Sequence, residues 1–261
     1  MELFGFILLG LTSGFFAGLL GLGGGIITVP VMALVALPYL NFPAHELMHI
    51  AVASSLAAII PTALMSIYGH QHQRGIIWPI ALKFTPGLII GGVSGALLAS
   101  SVASQGLQFA FASFLIFVAM YMLFSPVNML KTIQDKVKIN SLVPVPIAFI
   151  SASLGVGGGT MTVPYLLGRG VELPKAIGIS AYCGLPIAVA SSLTFYIMQS
   201  MSFSNVSGQF IYFPAVLGII IGSIISAPLG AKCTHLFPLK LIKRLFSIVL
   251  LIASAKLFMI W

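Results

Sequence analysis

The 261-residue sequence is 59% hydrophobic and only 6% charged, with a mean hydropathy of +1.13. That excludes a water-soluble domain and predicts an all-α, polytopic membrane protein. The net charge of +8 does not indicate nucleic acid, because the basic residues sit mostly in short loops between apolar runs and form no basic helix or patch. Two cysteines, Cys183 in an apolar segment and Cys233 in a basic loop, give neither a disulfide framework nor a metal-ligand spacing.

The chain starts MELFGFILLG, with Glu2 and no basic residue, so it is expected to belong to the mature protein rather than to a cleavable signal. This first apolar run ends in LLGLGGGIITVP, Leu19 to Pro30, and the pattern returns as SLGVGGGTMTVP, Ser153 to Pro164; eight of the twelve positions match. The repeat predicts a duplication, with a membrane repeat over 1–125, a cytoplasmic linker over 126–141 and a second repeat over 142–261. In each copy the glycines break an apolar helix, and Thr followed by Pro predicts a new, short helix beginning at Thr28 or Thr162. The first short arm, from Thr28 to about Leu37, would be about 15 Å long, half a hydrocarbon core, which implies a re-entrant hairpin or a pair of short spans. Broken helices are tolerated in a membrane only inside protein or beside a cavity, and their amide ends suit an anion. Close helix packing is the plainer use of such glycines.

Long apolar runs follow at 44–68, 78–99 and 107–124, and in the second half at 174–198, 210–230 and 241–260. Beyond the glycines, AVASSLAAIIP (51–61) aligns with AIGISAYCGLP (176–186). The small residues Gly91, Gly95 and Ala99 match Gly218, Gly222 and Ser226 in spacing and predict packing faces. Corresponding loops differ in charge: SSVASQG has no basic residue, while its counterpart holds Lys232, Lys240, Lys243 and Arg244. Placing the latter inside also puts Arg74, Lys131, Lys136, Lys138, Arg169 and Lys175 inside, ten of the twelve basic residues. The result is two inverted-topology repeats, each a glycine-broken hairpin plus three transmembrane helices, with both termini outside. Cysteines placed at Ser104 and Gln134 should then label from opposite faces.

The residues expected to contact a substrate are Gly24, Gly25 and Thr28 in the first break and Gly158, Gly159, Thr160 and Thr162 in the second. Ser55, Ser180 and Tyr182 lie on polar faces downstream. Thr62, Ser66, Ser191 and Thr194 extend those faces at near-helical spacing, and interhelical hydrogen bonding is their alternative role. Pro30, Pro61, Pro164 and Pro186 are candidate kinks or gates; Pro61 and Pro186 would free the carbonyls of Ala57 and Tyr182. Lys83 either attracts anions or snorkels to the inner surface. His45 and His49 have the spacing of a metal pair but no third ligand, so they are expected at the interface beside Glu46. Glu2, Glu46, Asp135 and Glu172 fall at ends or in loops, so no acidic proton relay crosses the membrane. Dinucleotide, P-loop, GxSxG and metal-site patterns are absent, so no enzyme, cofactor or metal is implied.

The glycine triplet followed by TVP in both halves, with AxxxS and an internal proline downstream, resembles the TauE/SafE family of sulfite and organosulfonate exporters over nearly the whole chain. The motif residues are Gly23 to Gly25, Thr28 and Pro30, and Gly157 to Gly159, Thr162 and Pro164. The resemblance implies a bacterial-type inner-membrane permease for small sulfur-containing anions such as sulfite, sulfoacetate or other sulfonates. One departure is that Ile179 and Ala181 flank Ser180 where the first half has Ser54 and Ser55, which leaves open whether both halves bind substrate equally. Anion channel and non-transporting scaffold stay open beside the carrier.

Overall fold

The computed structural model describes residues 2–21, 23–73, 75–124, 140–200, 210–233 and 239–259. Arg74, Lys131, Gln134, Lys136 and Lys138, nearly all of the linker expected at 126–141, and the side chains of Lys240 and Lys243 lie outside what it describes. The described residues form ten helices and no strand: α1 (Glu2–Leu20), α2 (Gly25–Tyr39), α3 (Leu47–His72), α4 (Trp78–Ser101), α5 (Ser104–Phe124), α6 (Pro144–Ser153), α7 (Gly159–Gly168), α8 (Leu173–Ser200), α9 (Phe213–Cys233) and α10 (Leu239–Met259). Six of them, α1, α3, α4, α5, α8 and α9, are long and apolar enough to cross a membrane.

Helix contacts follow the small residues. Along α1, Gly10, Gly14 and Gly18 face Ile219, Ser223 and Ala227 of α9 so closely that a Cβ at any of them would collide with that helix. Gly91 and Gly95 of α4 press in the same way on Val145 and Phe149 of α6. The expected packing faces are therefore present, and the α1–α9 pair corresponds to the α6–α4 pair once the halves are exchanged. Likewise α3 packs on α9 and α8 on α4, while α3 meets α8 and α5 meets α10. This contact pattern maps onto itself when the two halves are swapped.

Hydrogen bonds show which helix ends lie together. At one end, the Tyr212 amide donates to Ser54 Oγ (2.8 Å), the Met48 amide to Ser104 Oγ (3.2 Å) and Gln108 Nε2 to the Leu257 carbonyl (2.6 Å). That end gathers the starts of α3, α5 and α9 with the end of α10; Tyr212 also reaches Glu2 at the start of α1 (3.4 Å). At the other end, His70 Nε2 lies 3.0 Å from the Gly18 carbonyl and Gln73 donates to that of Ala231 (3.3 Å), joining the ends of α1, α3 and α9. Ser104 is buried by its bond to Met48, so the neighbouring, exposed Gln105 is the accessible labelling position.

Two expectations need correction. The short helices begin at Gly25 and Gly159, three residues before Thr28 and Thr162. The threonines do not cap: each hydroxyl donates back one turn, Thr28 to the Gly24 carbonyl (3.0 Å) and Thr162 to that of Gly158 (2.9 Å), as interior helical threonines do. Pro30 and Pro164 thus fall in the second turn, where the missing N–H leaves the carbonyls of Ile26 and Thr160 without their usual i+4 donor. The first short arm also outruns its expected end at Leu37. It continues to Tyr39, about 22 Å in all, through a π-helical stretch at Met32–Ala36, and the chain turns at Asn41 with φ of 60°.

Candidate functional site

The two glycine breaks meet each other. A Cβ placed on Gly23 would lie 2.7 Å from the Gly157 Cα, and one on Gly157 would lie 3.0 Å from the Gly23 Cα, so only glycine on both sides permits the approach. Each half then holds the other's break: Ser55 on α3 donates to the Gly155 carbonyl, and Ser180 on α8 donates to the Gly21 carbonyl, both at 2.9 Å. Gly21 and Gly155 are equivalent positions, as are Ser55 and Ser180, so the two bonds are related by the exchange of halves. Gly21 and Gly155 both have positive φ, 64° and 70°, which turns the chain out of α1 or α6 at little steric cost.

Beside this junction lies a narrow cleft, with room for about one water molecule, lined by Gly23, Thr62, Ser66, Gly157, Ser180 and Gly184, among others. Hydroxyls are its only side-chain polar groups, and all three are buried. Thr62 donates to the Ala58 carbonyl (2.8 Å) or to Ser223 Oγ (2.7 Å), and Ser180 to the carbonyl of Gly21 (2.9 Å) or of Ile177 (2.8 Å). Ser66, only 3% exposed, has no hydrogen-bond partner for its hydroxyl. A buried donor without a partner costs about 1–3 kcal/mol, so Ser66 is poised to gain from a ligand. Its signal in the sequence is the spacing Ile59, Thr62, Ser66, which repeats one helical face across two turns.

The expected site residues are thus only partly gathered. Gly24, Gly25 and Thr28 belong to the first break, which Ser180 holds at Gly21, and Gly158, Gly159, Thr160 and Thr162 to the second, which Ser55 holds at Gly155. Thr28 and Thr162 turn their hydroxyl protons inward to Gly24 and Gly158. Tyr182 turns away: its hydroxyl pairs with Thr85 of α4 at 2.8 Å and its ring packs edge-on against Trp78. Lys83 is exposed on α4 and does not line the cleft. Pro61 and Pro186 lie inside unbroken helices, α3 and α8. His45 is exposed, whereas Glu46 and His49 are buried, and His49 Nε2 lies 2.9 Å from the Val102 carbonyl. His49 is held by that carbonyl and packs against the ring of Phe210, while His45 stays exposed beside Glu46.

Fold and junction define a multi-pass helical membrane protein with two broken helices pressed together in its interior. The family model described as sulfite exporter TauE/SafE matches residues 6–257, and the chain belongs to that family. It is 30% identical over 262 residues to a probable membrane transporter protein of Haemophilus influenzae, with 97% of each chain covered. A probable membrane transporter protein of Methanocaldococcus jannaschii is 26% identical, covering 94% of this chain and 91% of its own. Another, from Bacillus subtilis, is 24% identical over 96% of this chain and 95% of its own. No solved structure matches.

Proposed function

We propose that this protein is a secondary transporter for a small sulfur-containing anion, sulfite or a sulfonate such as sulfoacetate, working by alternating access across the inner membrane. The observation that carries the proposal is the Gly23–Gly157 junction, where two helix starts and a cleft of hydroxyls meet inside an apolar bundle. Amide-bearing helix ends and neutral hydroxyls replace the water around an oxyanion. No carboxylate lines the cleft to repel it. Substrate contact at Gly24, Gly25, Thr28, Gly158, Gly159, Thr160 and Thr162 belongs to this proposal, as does flexing of α3 and α8 at Pro61 and Pro186.

The inverted arrangement of the halves is part of the same reading. It is supported by α3 and α8, whose equivalent serines reach across to the opposite break, and by their opposed directions: α3 starts at the end that holds Tyr212, whereas the α8 start, through Gly178, meets Gly75 just after α3 ends. Glu2 and Leu257, near the two termini, share one end, and Lys232 closes α9 at the other, where an excess of positive charge belongs inside. In a Cys233→Ser background, Gln105→Cys should label from outside and Arg169→Cys from inside. Labelling from the same face would refute the inversion.

Transport itself is tested by uptake of labelled sulfite and sulfoacetate into proteoliposomes, with and without a counter-anion inside. Saturable uptake that other sulfonates compete away, and that the counter-anion accelerates, is expected. Non-saturating anion currents would replace the carrier with a channel, and no uptake of either anion by folded protein would refute a sulfur-anion transporter.

A further inference from the structure

A second, small cavity lies between α5, α7 and α8 and has no counterpart in the function just proposed. It is lined by Leu20, Tyr121, Thr160, Leu167, Leu173 and Ile177, among others, and carries no charged side chain. Leu173 and Ile177 lie one helical turn apart on α8, and Ser180, Ala181 and Gly184 of the central cleft continue the same face. Leu20 and Ala17 do the same on α1. The cavity therefore extends the cleft along two helices at once.

Thr160 is the polar group of this cavity that calls for explanation. It is 6% exposed, sits in the first turn of the ten-residue α7, lines the cavity and has no partner for its hydroxyl. The described threonines Thr28, Thr62, Thr162 and Thr194 bond a carbonyl one turn back. For Thr160 that carbonyl is Val156, which lies before the break and already accepts from the Gly158 amide at 3.0 Å. In the first half the equivalent position is Ile26, 1% exposed and packed in the apolar core. The two breaks thus differ at the residue that would meet a ligand.

Building on the transport reading, we infer that the second break is the anion seat, and that the substrate is a monoanionic sulfonate whose short hydrocarbon tail lies in the α5–α7–α8 cavity. The Thr160 hydroxyl and the amide end of α7 receive the sulfonate oxygens. The tail covers Leu20, Leu167, Leu173 and Ile177. Ile26 offers no hydroxyl at the equivalent position of the first break, so this side-chain donor comes from the second break alone.

The test is calorimetric titration of the full-length protein in lipid nanodiscs with sulfite, methanesulfonate, ethanesulfonate and butanesulfonate. Affinity should rise about fourfold for each methylene added within the alkyl series. Thr160→Val should weaken every member roughly tenfold or more while the melting temperature holds, and Thr160→Ser should restore binding. A flat alkyl series overturns the tail cavity, and unchanged affinity in a folded Thr160→Val protein overturns the seat. So does a phospholipid chain in the cavity that sulfonates cannot displace. In each of these cases continued saturable sulfite uptake would keep the transport reading, whereas loss of both binding and uptake in the wild-type protein would remove the two together.

Discussion

The two breaks share a twelve-residue pattern and differ in build. The first follows a helix of 19 residues and the second a helix of ten. Past their shared turns at Gly21 and Gly155, the first takes positive φ at Gly23 (70°), whereas the second takes it one equivalent position later, at Gly158 (67°). Ile26 stands where the second break has Thr160. What the halves keep in common is what faces the other half: Gly21 with Gly155, Gly23 with Gly157 and Ser55 with Ser180. Ile26, packed in the apolar core, and Thr160, beside the α5–α7–α8 cavity, differ. At a mutual contact a change on one side has to be matched on the other.

Glycine substitutions break the comparison most sharply. Gly23→Ala adds a Cβ against the Gly157 Cα in a left-handed residue, and is expected to leave little folded, monodisperse protein on size exclusion. Gly158→Ala also fills a left-handed position, with its Cβ 2.5 Å from Ile187 Cδ1, and should cost about 2 kcal/mol or more. Its equivalent Gly24→Ala meets only an ordinary contact, 3.4 Å from Ser13, in a helical conformation. That variant should change stability by no more than about 0.5 kcal/mol. Similar melting temperatures for Gly24→Ala and Gly158→Ala would contradict the difference in backbone.

The serines test what the halves share. Ser55→Ala and Ser180→Ala each orphan a buried carbonyl and should each cost about 1–3 kcal/mol, nearly equally, in chemical or thermal unfolding. A clear inequality would mean that one half carries the junction. Thr28→Val and Thr162→Val remove only a bond back to the preceding turn, and a loss of about 1 kcal/mol or less is expected from each in the same assay. The smallest stability change is expected for Pro61→Ala combined with Pro186→Ala, which should leave folding intact and slow uptake severalfold; unchanged uptake would remove the gating role.

Much of the site was legible in the chain. The glycine triplets announced the breaks, and the small residues at 91, 95, 218 and 222 announced the packing faces, because both effects act over a few residues. The helix starts at Gly25 and Gly159 were misplaced because a threonine followed by proline looks the same as a cap or as a second-turn pair. Only the position of the preceding turn separates the two. Tyr182 was misjudged as a cleft residue for a similar reason: sequence places it beside Ser180, but its side of α8 faces Thr85 and Trp78.

By itself the sequence determined the membrane class, the recurrence of the glycine motif and the location of the breaks, since apolar length and glycine content act locally and need no partner. Tertiary structure decided that Gly23 meets Gly157, that Ser55 and Ser180 each hold the other half's break, and that Ser66 and Thr160 are left with unpaired hydroxyls. Those facts depend on segments a hundred or more residues apart coming to within a hydrogen bond of each other, a proximity that packing of the whole bundle sets and that no local pattern encodes.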